Sequence, residues 1–338
     1  MFIRFCIFGV FLVYLHETIA QPLAYTQLQG RAQGTSYLIH YGYSGKVMSA
    51  GQADSILREI DRSLSLYDTG SLICRFNRSR DGCTVDSHLI KLVRLSKQFN
   101  ASSEGVFDIT IKPLAALWGF GPDAGPGNPA EQDIRKVLKI TGMSLLSVQG
   151  TLLRKKRPEV QIDCNGIAQG YTVDLLADFL EQRGVQHYLV ELGGEIRLRG
   201  LNASGRPWTV GIEAPEEPGM PVQLAATVQP GSGAVTSSGT YRNTTMAGGK
   251  RVGHILDPTT GYPVGNGMVS VTVWAANATT ADAIDNILIA LGPGEIKPFL
   301  DAHPGVEAYW VFRRPDGRFA YGATRGFLKL MEQADQQH

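Results

Sequence analysis

The period of the apolar positions changes several times along the chain, and each change marks an element. Thr35–Tyr43 alternates and predicts a strand, whereas Ile56, Ile60 and Leu64 recur at helical spacing and predict a helix over Gly51–Leu66. The polar turn Ser65-Leu66-Tyr67-Asp68-Thr69-Gly70-Ser71 follows, with a single aromatic inside it. Helices are predicted over Ser87–Phe99 and Glu131–Lys139, the latter entered through the Gly/Pro-rich loop GPDAGPGNPA at 121–130, the natural place for an internal seam. Leu145–Leu153, Trp208–Ile212, Gln223–Val228 and Met268–Ala275 read as strands, as do Ala308–Arg313 and Arg318–Ala323. AVTSSGTYRN is a strand running into a Ser/Gly turn, and Thr280–Leu291 is a helix. Residues 21–30 read as a loose arm and Gln333–His338 as a frayed end. Strands and helices do not alternate strictly, which predicts an α+β fold with largely antiparallel sheets.

The middle of the chain, Glu159–Gly200, reads as strand, tight turn, helix, strand, glycine pair, strand. A strand over Val160–Cys164 enters a turn at Asn165-Gly166. The helix after it has Ala168 and Gly170 in its opening turn and Val173, Leu176, Phe179 and Leu180 on one face. Gly184 is placed as its C-terminal cap. A helix start with bared amides suits an anion, and Asp163 and Gly193-Gly194-Glu195 lie nearby; an ordinary βαβ scaffold reads equally well.

Composition narrows the class. The net charge is +1 over 338 residues, and removing residues 1–20 takes away Arg4 and Glu17 and leaves it unchanged. There is no basic stripe, so nucleic acid is not expected as a partner. Arg4, the apolar run Phe5–Leu15 and Thr18-Ile19-Ala20 have the form of a signal peptide cleaved after Ala20, which predicts an exported, periplasmic protein rather than a membrane-anchored one. Cys74 and Cys83 flank RFNRSRDG, read as a turn between two strands, and an oxidising compartment would favour a disulfide between them. With no CxxC and no Cys/His cluster, zinc is disfavoured.

Two segments carry candidate chemistry. In TTADAIDN, the residues Asp282, Asp285 and Asn286 project from one side of a helical turn. Two carboxylates and an amide oxygen suit a hard cation, although Asp282 serves equally as a charge on the positive end of the helix. In HILDPTTG, His254 lies three residues before Asp257, and a histidine oriented by a carboxylate is a general base near neutral pH; a strand-end histidine bonded to backbone is the alternative. Ser237-Ser238-Gly239 lacks a nucleophile context and serves better as hydrogen-bond donors to phosphate or ribityl groups.

In this order RAQGTSYLIHY, SLYDTGSLICRFN, FDITIKPLAALWGFG, IDCNGIAQGYTVD, LVELGGEIRLRG, TSSGTYRN, HILDPTTGYPV and TTADAIDNILIALG resemble the ApbE family of FAD:protein FMN transferases, over nearly the whole chain after residue 20. The resemblance implies one ApbE-like domain over 21–338, in two intimately packed subdomains. It implies an exported enzyme that cleaves FAD between its phosphates, transfers FMN to a threonine of an acceptor protein and releases AMP. The acceptor would be a redox-pump subunit or an exported FMN-binding domain, which would bring the enzyme near a membrane surface. Carried over residue by residue, Mg²⁺, with Mn²⁺ possible, would be held by Asp282, Asp285, Asn286 and a backbone carbonyl of Gly166–Ala168. FAD would be met by Gln33, Tyr67 (stacking), Phe107, Asp108, Asp163, Gln169 and Leu256, with Gly193 and Gly194 where the cofactor passes close to backbone and Ser237 and Ser238 as donors. His254 would deprotonate the incoming threonine. Three positions depart from the family pattern: Gln33 stands where methionine is common, Asn286 where threonine is commoner, and Gln169 where lysine or glutamate is frequent. An FAD pyrophosphatase with water as acceptor, and a non-catalytic FAD-binding protein, are the alternatives; Tyr67 favours transfer, because a held flavin shields the phosphorus from water.

Overall fold

A computed structural model describes residues 23–214, 224–240, 244–247 and 250–335. The expected signal segment 1–20, residues 241–243 of the Ser/Gly turn and the last three residues of the expected frayed end lie outside the described residues.

The chain begins with a hairpin, β1 (Tyr25–Ala32) and β2 (Thr35–Gly42), so the expected loose arm is an edge strand paired along its whole length. Tight sterics show why it pairs so closely: a Cβ on Gly30 would stand 2.7 Å from the Tyr37 ring. Helix α1 (Ala50–Leu64) starts at a capping box in which Ser49 and Gln52 satisfy each other's backbone amides. The stretch read as a turn between strands is instead the short helix α2 (Leu72–Arg78), followed by β3 (Gly82–Thr84). Cys74 therefore sits on a helix with Sγ near the carbonyls of Ser65 and Leu66, Cys83 sits on a strand, and both are free, as is buried Cys164. The expected disulfide is absent.

Next come α3 (Ser87–Ser102), α4 (Lys112–Leu117) and α5 (Glu131–Leu138). The single strand expected over Leu145–Leu153 is a hairpin, β4 (Leu146–Gln149) and β5 (Leu152–Lys155), turning at Gly150. Val160–Cys164 joins no sheet, because its polar groups are satisfied elsewhere. Ile162 N donates to Asn77 Oδ1 at 2.8 Å and Asp163 N to the Ile109 carbonyl at 2.7 Å. Helix α6 (Asn165–Glu181) then leads through Gly184, at φ +83°, into β6 (His187–Leu192) and β7 (Glu195–Arg199). Since Val160–Cys164 is no strand of any sheet among the described residues, the βαβ reading of this stretch gives way; β6 and β7 form an antiparallel hairpin.

The remaining elements are β8 (Val210–Glu213), β9 (Leu224–Val228), β10 (Ser232–Gly239), β11 (Thr244–Ala247), β12 (Lys250–Gly253) and β13 (Met268–Ala275). After them come α7 (Ala278–Leu291), α8 (Ile296–Asp301), β14 (Glu307–Arg313) and β15 (Phe319–Ala323). A terminal helix, α9 (Arg325–Asp335), takes in the first three residues of the expected frayed end, and its Phe327 is fully buried.

Eight strands form one sheet in the order β1-β2-β6-β7-β10-β13-β14-β15, with every neighbouring pair antiparallel. The α+β reading holds. One core lies between this sheet and α1, α6 and α7, with Val173, Leu176, Ala278, Ala281 and Ile284 facing the strands. A second core joins the opposite sides of α6 and α7 to α2, α3 and the β3–β5 sheet, using Ile167, Tyr171, Ala283 and Ile287. The pair α6–α7 is thus buried on two sides, which is why both helices carry apolar residues nearly all round.

The two helices nearly touch at Gly170. A Cβ there would stand 2.3 Å from the Ala278 carbonyl oxygen and 2.8 Å from Asp282 Cβ. Backbone cannot yield as a flexible side chain does, so Gly170→Ala is expected to lose about 3 kcal/mol of stability. Urea unfolding measures it; an unchanged midpoint would mean that the helices separate freely.

Candidate active site

The site is built around the N-terminus of α6 and the second turn of α7. Cys164 caps α6 without a side-chain hydrogen bond, leaving the positive end of a 17-residue helix dipole facing outward. Asn277 caps α7 by accepting from Thr280 N, and one turn further on Asp282 comes under α6. Gly170 N donates to Asp282 Oδ2 at 2.9 Å. Ser238 of β10 donates to Asp285 Oδ1 at 2.9 Å, and Asn286 Nδ2 lies 3.1 Å from that same oxygen and 3.4 Å from Asp282 Oδ1. Asp282 and Asp285 are buried, at 3% and 0% exposure, and Asp285 Oδ2 has no hydrogen-bond partner. Burial raises both carboxyls above the ordinary carboxylate range; repulsion from Asp282 adds to the rise at Asp285, while the Gly170 amide partly holds Asp282 down.

Two cavities meet here. The first, of about 500 Å³, is walled by Phe107, Ile109, Ile111, Phe120, Leu256 and Ile287. The second, of about 400 Å³, is more polar, with Gln33, Asp61, Gln169, Glu195, Ser238 and Asp282 in its wall. Tyr67, Asn165, Gly166, His254 and Asn286 line both, so the junction holds an aromatic, an imidazole, an amide and a helix start. Tyr67 is 74% exposed, a large flat face with room for a partner. The His254 ring meets the Phe120 ring edge-on at 6.4 Å.

Most residues singled out from the sequence gather at these cavities, though not all in the form expected. Phe107, Asp108, Asp163 and Leu256 line the first. Asp108 also spends its oxygens on its own neighbourhood, accepting from Thr110 N at 2.8 Å and Met143 N at 3.1 Å. Asp163 accepts from Asn165 N at 2.7 Å; burial raises its carboxyl, while that amide and the Lys112 charge lower it. Gln33, Ala168 and Gln169 line the second cavity. Gln33 takes a left-handed φ of 50° and donates to Thr172 Oγ1 at 3.1 Å, whose own hydroxyl donates to the Ala168 carbonyl at 2.8 Å.

Three expected contacts fall away. Ser237 bonds Thr272 across the strand pair at 2.8 Å and lines neither cavity, because side chains alternate along β10 and only Ser238 faces α7. Gly193 and Gly194 also line neither. They are the two-residue turn between β6 and β7, at φ +65° and +104°, and a Cβ on Gly193 would stand 2.7 Å from Gln169 Nε2. Asp285 forms part of the acidic pair but not of either cavity wall. Asp257 spends its oxygens on its own turn: Thr259 N at 2.7 Å and Thr260 Oγ1 at 2.9 Å hold them, and those bonds lower its pKa although burial opposes them.

Other wall residues carry no sequence signal of their own. Asp61 lies on α1 beside the core residues Ile60 and Leu64, and only its direction distinguishes it from a solvated acid. Outside both walls, Lys112, 7% exposed, bonds Gln161 at 3.0 Å and pairs with Asp123 of the Gly/Pro-rich loop.

The same fold occurs in solved flavin transferases. The flavin transferase ApbE from Vibrio cholerae matches with a TM-score of 0.81 at 34% identity, over 91% of this chain and 100% of that one. The apo flavinyl transferase ApbE from Pseudomonas stutzeri matches with a TM-score of 0.82 at 34% identity, over 91% of this chain and 97% of that one. The chain belongs to the ApbE family, matching it over residues 33–310. Among curated relatives, the FAD:protein FMN transferase of Vibrio cholerae is 38% identical over 311 residues, covering 90% of this chain and 92% of the relative. That of Escherichia coli K12 is 34% identical over 301 residues, covering 86% and 85%.

Proposed function

We propose that this chain is an exported FAD:protein FMN transferase that moves FMN from FAD to a threonine of an acceptor flavoprotein. The observation that carries the reading is the junction of the two cavities. FAD has a flat group at each end and a pyrophosphate in the middle, and the reactive groups converge where a two-lobed site would hold that middle.

The donor set fits a hard cation. Two buried carboxylates repel each other, one of their oxygens is unpartnered, and the groups bonded to them, Ser238, Asn286 and the Gly170 amide, include neither sulfur nor imidazole. Asp282, Asp285, Asn286 and a backbone carbonyl of the Gly166–Ala168 turn would hold Mg²⁺. Asn286 presents Oδ1 when its amide is turned over, the two ends having nearly the same shape. Mg²⁺ would supply neutralisation of pyrophosphate charge and polarisation of the phosphorus.

The chain's own groups do the rest. The α6 N-terminus draws the phosphates by its dipole, and Ser238 steadies Asp285. Tyr67 offers a face for the isoalloxazine at the mouth of the site. His254 accepts the proton of the threonine hydroxyl as that oxygen forms its bond to phosphorus, and AMP leaves with the electrons of the broken P–O bond.

The test is one incubation of the protein with FAD, Mg²⁺ and an FMN-acceptor domain. The expected result is a flavin-fluorescent acceptor on a denaturing gel, lost with EDTA. Free FMN and AMP without labelled acceptor would make the protein a pyrophosphatase, and unchanged FAD would make it a binder.

A further inference from the structure

We propose that Asp174, held by Arg197, is a positioning residue that sets the height of α7 against α6 and thereby places Asp282 at the junction. The inference rests on the reading of Asp282 as a cation ligand. Asp174 is a buried carboxylate with four donors on it. Its Oδ1 accepts from Ala278 N at 2.9 Å and from Arg197 Nη1 at 3.0 Å. Its Oδ2 accepts from Thr279 N at 2.9 Å and from the Thr279 hydroxyl.

The spacing makes this a gauge. Gly170 and Asp174 lie one turn apart on α6, and Ala278 and Asp282 lie one turn apart on α7. The helices run antiparallel, so Asp174 grips the first turn of α7 while Gly170 N grips Asp282 one turn on. A slip of α7 by one residue would carry Asp282 about 1.5 Å along the axis and break both grips. No side chain at 170 separates the helices, so the Asp174 bonds, rather than packing bulk, define the axial position there. Arg197 on β7 ties this grip to the sheet, reaching Asp178 at 2.8 Å and Glu181 at 3.3 Å on the same face of α6. Two residues before it on that strand, Glu195 stands in the second cavity wall.

The test uses the full mature protein and measures the Mg²⁺-dependent rise in Tm without FAD or acceptor, beside kcat and KM for FAD. Asp174→Asn keeps the shape of the side chain but offers only one accepting oxygen to four donors. It is expected to need about tenfold more Mg²⁺ for the half-maximal shift, with kcat lowered and KM for FAD nearly unchanged. Arg197→Met is expected to share the defect and Arg197→Lys to relieve much of it. If Asp174→Asn does not fold, Arg197→Met decides on the same readout. A wild-type Mg²⁺ midpoint in whichever variant decides, with the shift lost in Asp282→Ala, overturns the positioning role alone. No Mg²⁺ shift in the wild type, or a full shift in Asp282→Ala, overturns the cation reading and this inference with it.

Discussion

Asp282→Ala is expected to lower transfer by about 10³-fold or more while weakening FAD binding only a few-fold, because the cation proposed for it would act on charge that grows in the transition state. The carboxylate is buried and directed at the junction, so no water-exposed acid can take over its place. Single-turnover transfer and FAD titration separate the two effects, and full activity in the variant would dismiss the metal assignment. The same pair makes a pH prediction. Burial raises Asp282 and Asp285 above the ordinary value of 3.8, so without a cation the folded protein binds more protons than the unfolded chain in the range above that value. Their stability contribution therefore falls as pH rises through that range, and a cation would offset the cost of burying those charges. Mg²⁺ should accordingly raise Tm more at about pH 8 than at about pH 5.5, and this difference should vanish in Asp282→Ala.

His254→Ala should lower kcat for transfer by roughly 10²–10⁴-fold, the usual contribution of a positioned base, with KM for FAD nearly unchanged. The ring lines both cavities and leans edge-on against Phe120, at the junction proposed to hold the middle of the ligand. A wild-type rate at neutral pH would show that another group, or none, accepts the proton.

How legible the protein was depends on which residues one asks about. Helix α7 is legible in its body, where Asp282, Asp285 and Asn286 share a side by their spacing alone, but it starts at Ala278 under an Asn277 cap, two residues before the expected Thr280. Strand β10 was legible as a strand but not as to which serine faces the site, since Ser237 and Ser238 are told apart only by which face α7 covers. The edge strand β1 was missed because Tyr25–Ala32 mixes polar and apolar residues, half-buried and exposed by turns, and its order comes from pairing with β2. Val160–Cys164 was read as a strand because it is apolar and extended; its backbone instead bonds Asn77 and Ile109, far away in sequence. Asp257, read as an orienting acid for His254, spends its oxygens on Thr259 and Thr260 of its own turn.

Glu159–Gly200 shows where the boundary lies. Periodicity and the ordered motifs were enough for the helix, the turn before it and the family, because each depends on residues within a few turns of one another. That Gly170 touches Asp282, that Asp174 grips Ala278 and Thr279, and that Gly193 makes room for Gln169 came only with the folded chain. The Gly170 and Asp174 contacts join α6 to residues more than a hundred positions away, and such contacts follow from how the sheet and the two cores stack the helices, which no local pattern encodes.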